Sequence, residues 1–334
     1  MNGKNNNNFL LFIRSKFILE QIMNNLTINK LLEIIRYNKH LQNNLNKGPN
    51  YYKEYTQIEI EIIFKENKYG NIINYTNENK SFFHIYLDEN EKEINRNDII
   101  QNDIFKKIKI IIDSGIKTFN GLFRGCEYIQ YMKFIKFNRK NIKDTSYMFT
   151  GCASLKELNI SKFYTNQVTN MKSMFSGCSS LIKLTLSNFE TNKVTNMNHM
   201  FDGCSALKKL DINNFNTNNV IDMSWMFNGC SSLRRLVINK FKTNNVNDMC
   251  WMFSGCTNLK ELNISNFNTD NVNDMKCMFY KNTNLKELNI NNFNIKNVND
   301  MELMFYSCSS LKKIICSDEL KQEIKKQFKN LSIE

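Results

Sequence analysis

The chain has little of several residue types on which other protein classes depend. Among its 334 residues there are three histidines, two tryptophans and a single proline, Pro49. No apolar run approaches the roughly 20 residues that a membrane-spanning helix needs. The apolar segment 9–13, before Arg14, is shorter than the roughly 7–15 residues of a signal-peptide core. We therefore expect no membrane span and a cytoplasmic protein, with a cell-surface location as the alternative.

The sequence also lacks the motifs of enzymes and metal sites. It contains no Gly-x-Ser-x-Gly sequence, no phosphate-binding loop and no Cys-x-x-Cys pair, and its histidines are scattered. All ten cysteines lie at or beyond Cys126, and seven of them recur at a fixed spacing. A cysteine that recurs in this way packs inward as a small hydrophobic side chain. We expect a non-enzymatic protein without a cofactor, whose cysteines are reduced rather than paired in disulfides or bound to zinc.

What the chain does have is a repeat of 26 residues. The dipeptide Gly-Cys recurs every 26 residues from Gly125-Cys126 to Gly255-Cys256, and the frame continues through Asn282 and Cys308 without insertion or deletion. A fixed period of this length is typical of solenoids, in which neighbouring units share one core. The apolar residues fall on fixed columns: leucine at 155, 181, 207, 233, 259, 285 and 311; phenylalanine at 163, 189, 215, 241, 267 and 293; and Met-Phe pairs from 148–149 to 304–305.

Each unit has two halves with different patterns. Residues 157–161 alternate between polar and apolar, which predicts a short strand and, once the units stack, one parallel sheet. The second half has Asn or Asp followed by Met-x-x-Met-Phe, as from Asp222 to Phe227. Because Asn and Asp are good helix N-caps, this half predicts a single helical turn with its apolar residues on one face. The glycine that follows, such as Gly229, would end that turn.

Together these columns resemble the BspA-type leucine-rich repeat, a domain of unknown function that is common in mycoplasma and protist proteins. The shared pattern is Leu-x-x-Leu-x-Ile-x-x-Phe, then Asn-Thr-x-x-Val-x-Asp-Met-x-x-Met-Phe-x-Gly-Cys-x-x-Leu, over residues 104–317. The resemblance implies an α/β solenoid, that is, a leucine-rich-repeat-like parallel array of 26-residue units that is used for binding. Some members of that family are cell-surface proteins that attach to matrix or host components.

The segments outside the array predict a small N-terminal α+β domain and a C-terminal cap. Residues 1–13 are expected to form a disordered tail, and 50–103 a strand-rich segment that leads to the N-terminal cap. Residues 14–47 have helical spacing and resemble an F-box, which docks the adaptor of a ubiquitin ligase; the alternative is a helical cap or docking module. Residues 108–123 are predicted to be a degenerate first coil. Residues 318–334 predict a capping helix with one apolar face, formed by Leu320, Ile324, Phe328 and Leu331.

Three columns of the array predict its exposed surface and contain the candidate partner-binding residues. The first is a basic file beside the sheet, interrupted by Ile182; the second consists of outward sheet positions; the third precedes the Met-Phe pairs. For each column a structural role is the alternative, namely a solvated rim for the charges and packing on the next coil for the rings. The candidates are Lys208, Arg234 and Lys260 in the first column, Lys183, Lys209 and Arg235 in the second, and His199, Trp225 and Trp251 in the third.

Charge and aromatic content narrow the class of partner. The net charge of +13 favours an acidic partner. The outward sheet positions contain no aromatic residues on which bases could stack, so specific nucleic-acid binding is not expected. The favoured function is a non-enzymatic protein–protein interaction scaffold that binds through the solenoid. A surface or host-attachment protein and an F-box-like substrate adaptor are the alternatives.

Overall fold

The computed structural model divides the chain into two compact units, Met1–Gln57 and Ile58–Glu334. The first unit contains the helices α1 (Lys16–Asn24) and α2 (Lys39–Leu45), with Leu19, Leu41 and Leu45 buried. The predicted tail 1–13 and most of the segment between the two helices lie outside the described residues, so the F-box-like and cap interpretations both stay predictions. The described residues are 15–24, 26, 34–35, 38–45, 54–88, 92–327 and 332–333.

The second unit begins with a mainly antiparallel sheet. Its strands are β1 (Ile58–Phe64), β2 (Gly70–Asn71), β3 (Phe83–Leu87), β4 (Glu93–Ile94), β5 (Asp98–Ile99), β6 (Ile108–Ile112), β7 (Ile129–Lys136) and β8 (Glu157–Asn159). Six of them form one sheet in the order β4-β3-β6-β1-β7-β8, while β2 pairs with β5. β1 alternates as predicted, because Ile58, Ile60 and Ile62 are fully buried and the glutamates between them are partly exposed.

Residues 108–123 were predicted to form the first coil of the array. This prediction is wrong for the strand within that segment, β6. β6 pairs antiparallel with β1 and β3, whereas β7 pairs parallel with β8 and so leads into the repeats. A period-two pattern gives a strand and its buried face but does not identify its partner. The turn half does join the array, because the Phe119 N–H donates to the Asp144 carbonyl oxygen at 3.0 Å and the Phe123 N–H to that of Met148 at 2.8 Å.

The strands of the array are three residues long and pair with the equivalent residues one unit away. Lys209 pairs with Arg235, and Glu287 with Lys313, both in parallel register. The direction and register agree with the prediction, but the single continuous sheet does not. No strand is assigned at Lys183 or Glu261, so the ladder is divided among three sheets. The remaining strands are β9 (Lys209–Asp211), β10 (Arg235–Val237), β11 (Glu287–Asn289), β12 (Lys313–Ile315) and β13 (Ser332–Ile333).

The second half of each unit consists of turns, and the predicted helical turn is wrong. The Asp222 carboxylate accepts the N–H of Ser224 at 2.9 Å, which forms an Asx turn. The Phe227 N–H then donates to the Met252 carbonyl oxygen of the next unit at 2.9 Å. In a helix that N–H would bond within the segment; here hydrogen bonds between units take its place. The Asn/Asp column forms a ladder of parallel bridges from Asp144↔Asn170 to Asp274↔Asp300.

The buried columns stack in register and make a continuous core. Phe123 and the phenylalanines of the Met-Phe pairs, from Phe149 to Phe305, have successive ring centroids 5.4–5.8 Å apart and planes within 2–11°. All ten cysteines are free, and the repeated ones from Cys152 onward donate to a phenylalanine carbonyl oxygen, as Cys204 Sγ does to Phe175 at 3.2 Å. Asn282 keeps that bond where cysteine is lost, because its Nδ2 lies 2.9 Å from the Phe253 carbonyl oxygen.

The chain after the last unit covers the end of the array. Helix α3 (Asp318–Gln327) buries Leu320 and Ile324, as predicted, whereas Phe328 and Leu331 lie outside the described residues. β13 then pairs parallel with β12, with Ile333 opposite Ile314. This added strand was not predicted. Among the described helices none is both long enough and apolar enough to span a bilayer.

The glycine of the Gly-Cys column predicts two stability changes of opposite sign. Gly203 has φ 69°, and Lys281, which replaces glycine in a later unit, has φ 56°. This left-handed region costs an L-residue about 1–2 kcal/mol. Urea denaturation should therefore show Gly203→Ala lowering the free energy of unfolding by about that amount and Lys281→Gly raising it by about 1 kcal/mol. A Cβ at Gly203 would lie 3.6 Å from Gly177, an ordinary contact. Changes of the same sign in the two variants would contradict this account.

Candidate functional site

The third predicted column lies at a left-handed turn that recurs in every unit. Ser173, His199, Trp225, Trp251 and Cys277 all have φ between 54° and 59°. Their N–H groups donate to the next unit, for example from Trp225 to the Cys250 carbonyl oxygen at 2.9 Å and from Trp251 to that of Lys276 at 2.8 Å. The hydrogen bonds between units thus hold a backbone conformation that bulky residues rarely adopt. The turn is the same in each unit, and only its side chain varies.

An aromatic strip runs along this side of the array. Adjacent units lie roughly 4.8 Å apart, so equivalent side chains come into ring contact. Trp225 and Trp251 stack with centroids 4.6 Å apart and planes at 12°, and His199 stacks on Trp225 at 5.3 Å. Trp251 contacts Tyr280 at 5.5 Å, and Tyr280 stacks on Tyr306 at 5.6 Å. The aromatic strip is defined as His199, Trp225, Trp251, Tyr280 and Tyr306.

The strip is only partly buried. His199, both tryptophans and Tyr280 are half-buried, and Tyr306 is 50% exposed. His199 is fixed at one end by a contact of its Nδ1 with Asp202 Oδ2 at 2.9 Å. The two tryptophans therefore pack on adjacent units and remain accessible to solvent, so the interface and packing interpretations apply to the same side chains. Ser173 and Cys277, at equivalent positions, are buried.

Sequence analysis missed the two tyrosines of the strip. Tyr280 and Tyr306 precede the Gly-Cys position rather than the Met-Phe pair, so they belong to another column. They are 26 residues apart, and this spacing was the available signal that they stack on each other. The approach of Trp251 to Tyr280 could not be read from the period, because it joins different positions of two units.

One cluster of potential metal ligands lies near the strip. Asp248, Cys250 and Asp274 place one donor atom each within 4.8 Å of one another. The same carboxylates already serve turns, since Asp248 Oδ1 accepts the Cys250 N–H at 2.9 Å and Asp274 Oδ1 accepts the Lys276 N–H at 2.8 Å. Burial, and then the neighbouring aspartates, raise the pKa of the Cys250 thiol. Cys250 is therefore a protonated thiol at neutral pH and a poor nucleophile.

A basic patch lies on the sheet face of the middle units. Its six side chains are all exposed and come from the first two predicted columns. Lys209 and Arg235 are direct register partners of β9 and β10, and the Arg234 N–H donates to the Lys208 carbonyl oxygen at 2.9 Å. The structure thus brings together all the cationic candidates. The basic patch is defined as Lys183, Lys208, Lys209, Arg234, Arg235 and Lys260.

Over the described part of the chain, none of the six cations of the basic patch forms an ion pair, although lysines elsewhere do. Lys109, for example, lies 3.2 Å from Glu59, and Lys276 lies 2.6 Å from Glu302. Asp211, also exposed on β9, instead accepts the Asn213 N–H at 3.1 Å. The patch therefore keeps its positive charges available to solvent or to a partner.

The basic patch ends at acidic residues in the same outward column. Along successive units this column contains Glu157, Lys183, Lys209, Arg235 and then Glu261. Surface grooves lie at both boundaries. One, of about 620 Å³, is lined by residues that include Glu157, Ile182 and Lys183. The other, of about 530 Å³, is lined by Lys260, Glu261, Glu287 and their neighbours.

Comparison with known proteins identifies a family whose model matches this part of the chain. A family model described as "Mycoplasma protein of unknown function, DUF285" matches the chain twice, over residues 117–238 and 222–332. Together the two matches span more than half of the 334 residues and include both the aromatic strip and the basic patch. No curated protein is significantly similar to the chain.

Proposed function

The chain belongs to the family described as "Mycoplasma protein of unknown function, DUF285", and we propose that it is a non-enzymatic protein–protein interaction scaffold. The proposed binding surface is the repeat array. The observation that supports this proposal is a difference between the buried columns and the surface columns of the repeat. The buried side chains repeat from unit to unit, whereas the residues of the half-buried strip and of the exposed patch differ between equivalent positions of successive units.

The proposed architecture is a leucine-rich-repeat-like solenoid of the BspA type. Parallel pairing one unit apart, the stacked phenylalanines and the Asn/Asp ladder all support it. Each unit is too small to bury its apolar face alone, so neighbouring units stabilise one another. Such arrays present long surfaces on a rigid support, which suits recognition of another macromolecule.

The proposed location is the cytoplasm. All ten cysteines are free, and those of the Gly-Cys column stack directly on one another without a disulfide, which suits a reducing compartment. The second candidate is attachment at the cell surface, as in some BspA-type proteins. It is favoured by the resemblance of this chain's repeats to the BspA-type repeat. Fractionation of the native cell with an antibody against the chain separates the two: surface labelling of intact cells would overturn the cytoplasmic proposal.

Replacing both tryptophans tests the role of the aromatic strip. In the full chain, Trp225→Ser together with Trp251→Ser should reduce the protein partner captured from native lysate by about tenfold, as expected for aromatic interface anchors. Serine suits this turn, because Ser173 occupies the equivalent position with φ 54°. Quantitative mass spectrometry of captured proteins gives the measurement.

Tyr147→Ser provides the matched control for this capture experiment. Tyr147 lies in the same column with φ 57° and is half-buried, but it is three units before Trp225 and outside the strip. Capture should be unchanged in this variant. Loss of folding in the double variant, detected by circular dichroism, or capture equal to wild type would contradict a binding role for the strip. A folded wild-type chain that retains no protein selectively would contradict the scaffold function itself.

A further inference from the structure

Within the described chain, the side chains of the basic patch form no hydrogen bond or ion pair that would stabilise the fold. Lys209 and Arg235 are directly paired across two strands, and like charges in that arrangement destabilise a sheet. Lys208 and Arg234 add two more exposed cations in the same two units. Among the described residues, no carboxylate forms an ion pair with these four side chains, whereas Glu59 lies 3.2 Å from Lys109 elsewhere. Only at the end of the patch is a cation, Lys183, the register partner of a carboxylate, Glu157. A concentration of like charge without ion pairs is the kind of local conflict expected at a functional surface.

The patch is bounded, which limits the partner that fits it. Units repeat at roughly 4.8 Å, so Lys183 to Arg235 spans about 10 Å and the whole patch about 15 Å. An extended peptide advances about 3.3–3.6 Å per residue and would cross the patch with four or five residues. Glu157 and Glu261 lie at the two ends of the same column and would repel an anionic chain that continued past them. Along this column, a uniformly charged polymer therefore fits poorly.

The side chains suit carboxylates in particular. The guanidinium groups of Arg234 and Arg235 can each bind a carboxylate through two parallel hydrogen bonds, while the lysines supply compact point charges. Successive anionic side chains on one face of an extended peptide lie about 7 Å apart, a spacing that flexible lysine and arginine side chains can match. The exposed sheet face of these units has no aromatic ring on which a base could stack.

We infer that the basic patch binds a short acidic segment of a partner protein, four or five residues long and flanked by neutral or basic residues. The inference rests on the proposed scaffold function and specifies its ligand. The boundary glutamates give the site its selectivity, because they favour a segment whose negative charge stops where the patch stops. The grooves beside Glu157 and Glu261 provide room for the flanking residues.

Fluorescence anisotropy with a labelled peptide tests this inference on the full chain. The probe contains five consecutive glutamates with two lysines on each side, and the comparison probe contains glutamates throughout. The flanked probe should bind more tightly than the all-glutamate probe. Lys209→Glu together with Arg235→Glu should weaken its binding by at least about tenfold, since the new carboxylates would repel the glutamates of the probe. Binding should also fall as salt is raised.

Lys296→Glu together with Lys312→Glu is the matched control, because it makes the same change in net charge at two exposed lysines that lie outside the patch and its two grooves. Its effect on the flanked probe should be less than about threefold. Equal losses in the two double variants would overturn the inference by showing attraction to net charge alone. No binding by the wild-type chain, or tighter binding of single-stranded RNA or a sulfated polysaccharide, would also overturn it. Failure of the peptide with partner capture intact would leave the scaffold function standing.

Discussion

Above pH 9 the folded chain is expected to lose stability steeply. Burial raises the pKa of the Cys126, Cys178 and Cys256 thiols from 9.0 to about 12, and those of Cys152, Cys204 and Cys230 also rise well above their ordinary value. In the unfolded chain these six thiols ionise near pH 9, whereas the folded chain keeps them protonated. Ionisation therefore stabilises the unfolded state, and the contribution of each buried thiol is lost as the pH rises between 9 and 12.

The size of this alkaline effect follows from proton linkage. Once a thiol is ionised in the unfolded chain but still protonated in the folded chain, it lowers the free energy of unfolding by about 1.4 kcal/mol for each further pH unit. The three thiols whose pKa rises to about 12 would alone lower the free energy of unfolding by roughly 4 kcal/mol at pH 10, which is a large part of the stability of an ordinary domain. Urea denaturation between pH 7 and 10.5, under reducing conditions, should show a midpoint that falls sharply above pH 9.

A variant with two thiols removed isolates this contribution from other alkaline titrations. Cys204→Ala with Cys230→Ala removes two of the six groups, so its loss of stability above pH 9 should be shallower by about 3 kcal/mol per pH unit. Its stability at pH 7 should be lower than that of wild type, because two buried side chains lose packing. Parallel curves for the two proteins would show that the buried thiols do not cause the alkaline transition.

Phe227→Ala is expected to lower the free energy of unfolding at neutral pH by about 3–5 kcal/mol. Phe227 is fully buried, and its ring lies 5.7 Å from Phe201 and 5.6 Å from Phe253. The deletion leaves a cavity between two units and removes packing on both sides, so it weakens two interfaces of the array at once. Urea denaturation followed by far-ultraviolet circular dichroism measures the change.

Two other variants in the same unit serve as references for the stability loss of Phe227→Ala. Ile221→Ala alters an apolar side chain that is 46% exposed, so the free energy of unfolding should change by less than about 0.5 kcal/mol. Phe227→Leu keeps most of the buried volume and should cost clearly less than alanine. A loss below about 1 kcal/mol for Phe227→Ala would mean that the phenylalanine stack does not couple the units.

Much of the core could be predicted from the period alone. The columns that contain Leu155, Phe163, Met174 and Cys178 are buried in unit after unit, because a side chain that recurs once per unit meets the same surroundings each time. The strand pairings were harder to predict. Residues 108–112 and 129–136 are both apolar and both form strands, and only long-range packing against β1 decides which one leads into the array.

The Met-x-x-Met-Phe segments show a different limit. Apolar residues at spacings of three and four suit one face of a helix, but the same spacing also suits consecutive turns that bury Met223, Met226 and Phe227. The two structures differ in the acceptors of the main-chain N–H groups. Here these groups donate to carbonyl oxygens of the next unit. A single isolated unit offers no such acceptors. The turn at Trp225, with its positive φ, is likewise a property of the stack and not of the local sequence.

The charged residues of the candidate site were predicted from the sequence more completely than its aromatic residues. Each cationic candidate is exposed and belongs to one patch, because charged side chains avoid the core and the period aligns them. The contact between Trp251 and Tyr280 depends on side chains from two columns meeting across units. Spacing within a single column does not contain that information.

The pairing of equivalent residues 26 positions apart also governs how such a chain can evolve. Each unit contacts its neighbours through the same columns, so duplication or loss of one whole unit leaves every remaining side chain with a neighbour of the same kind. An insertion of any other length would shift all later columns and separate the stacked rings. Array length is therefore a heritable trait that recombination can alter in steps of one unit, while substitutions at Trp225 or Arg235 diversify the surface independently.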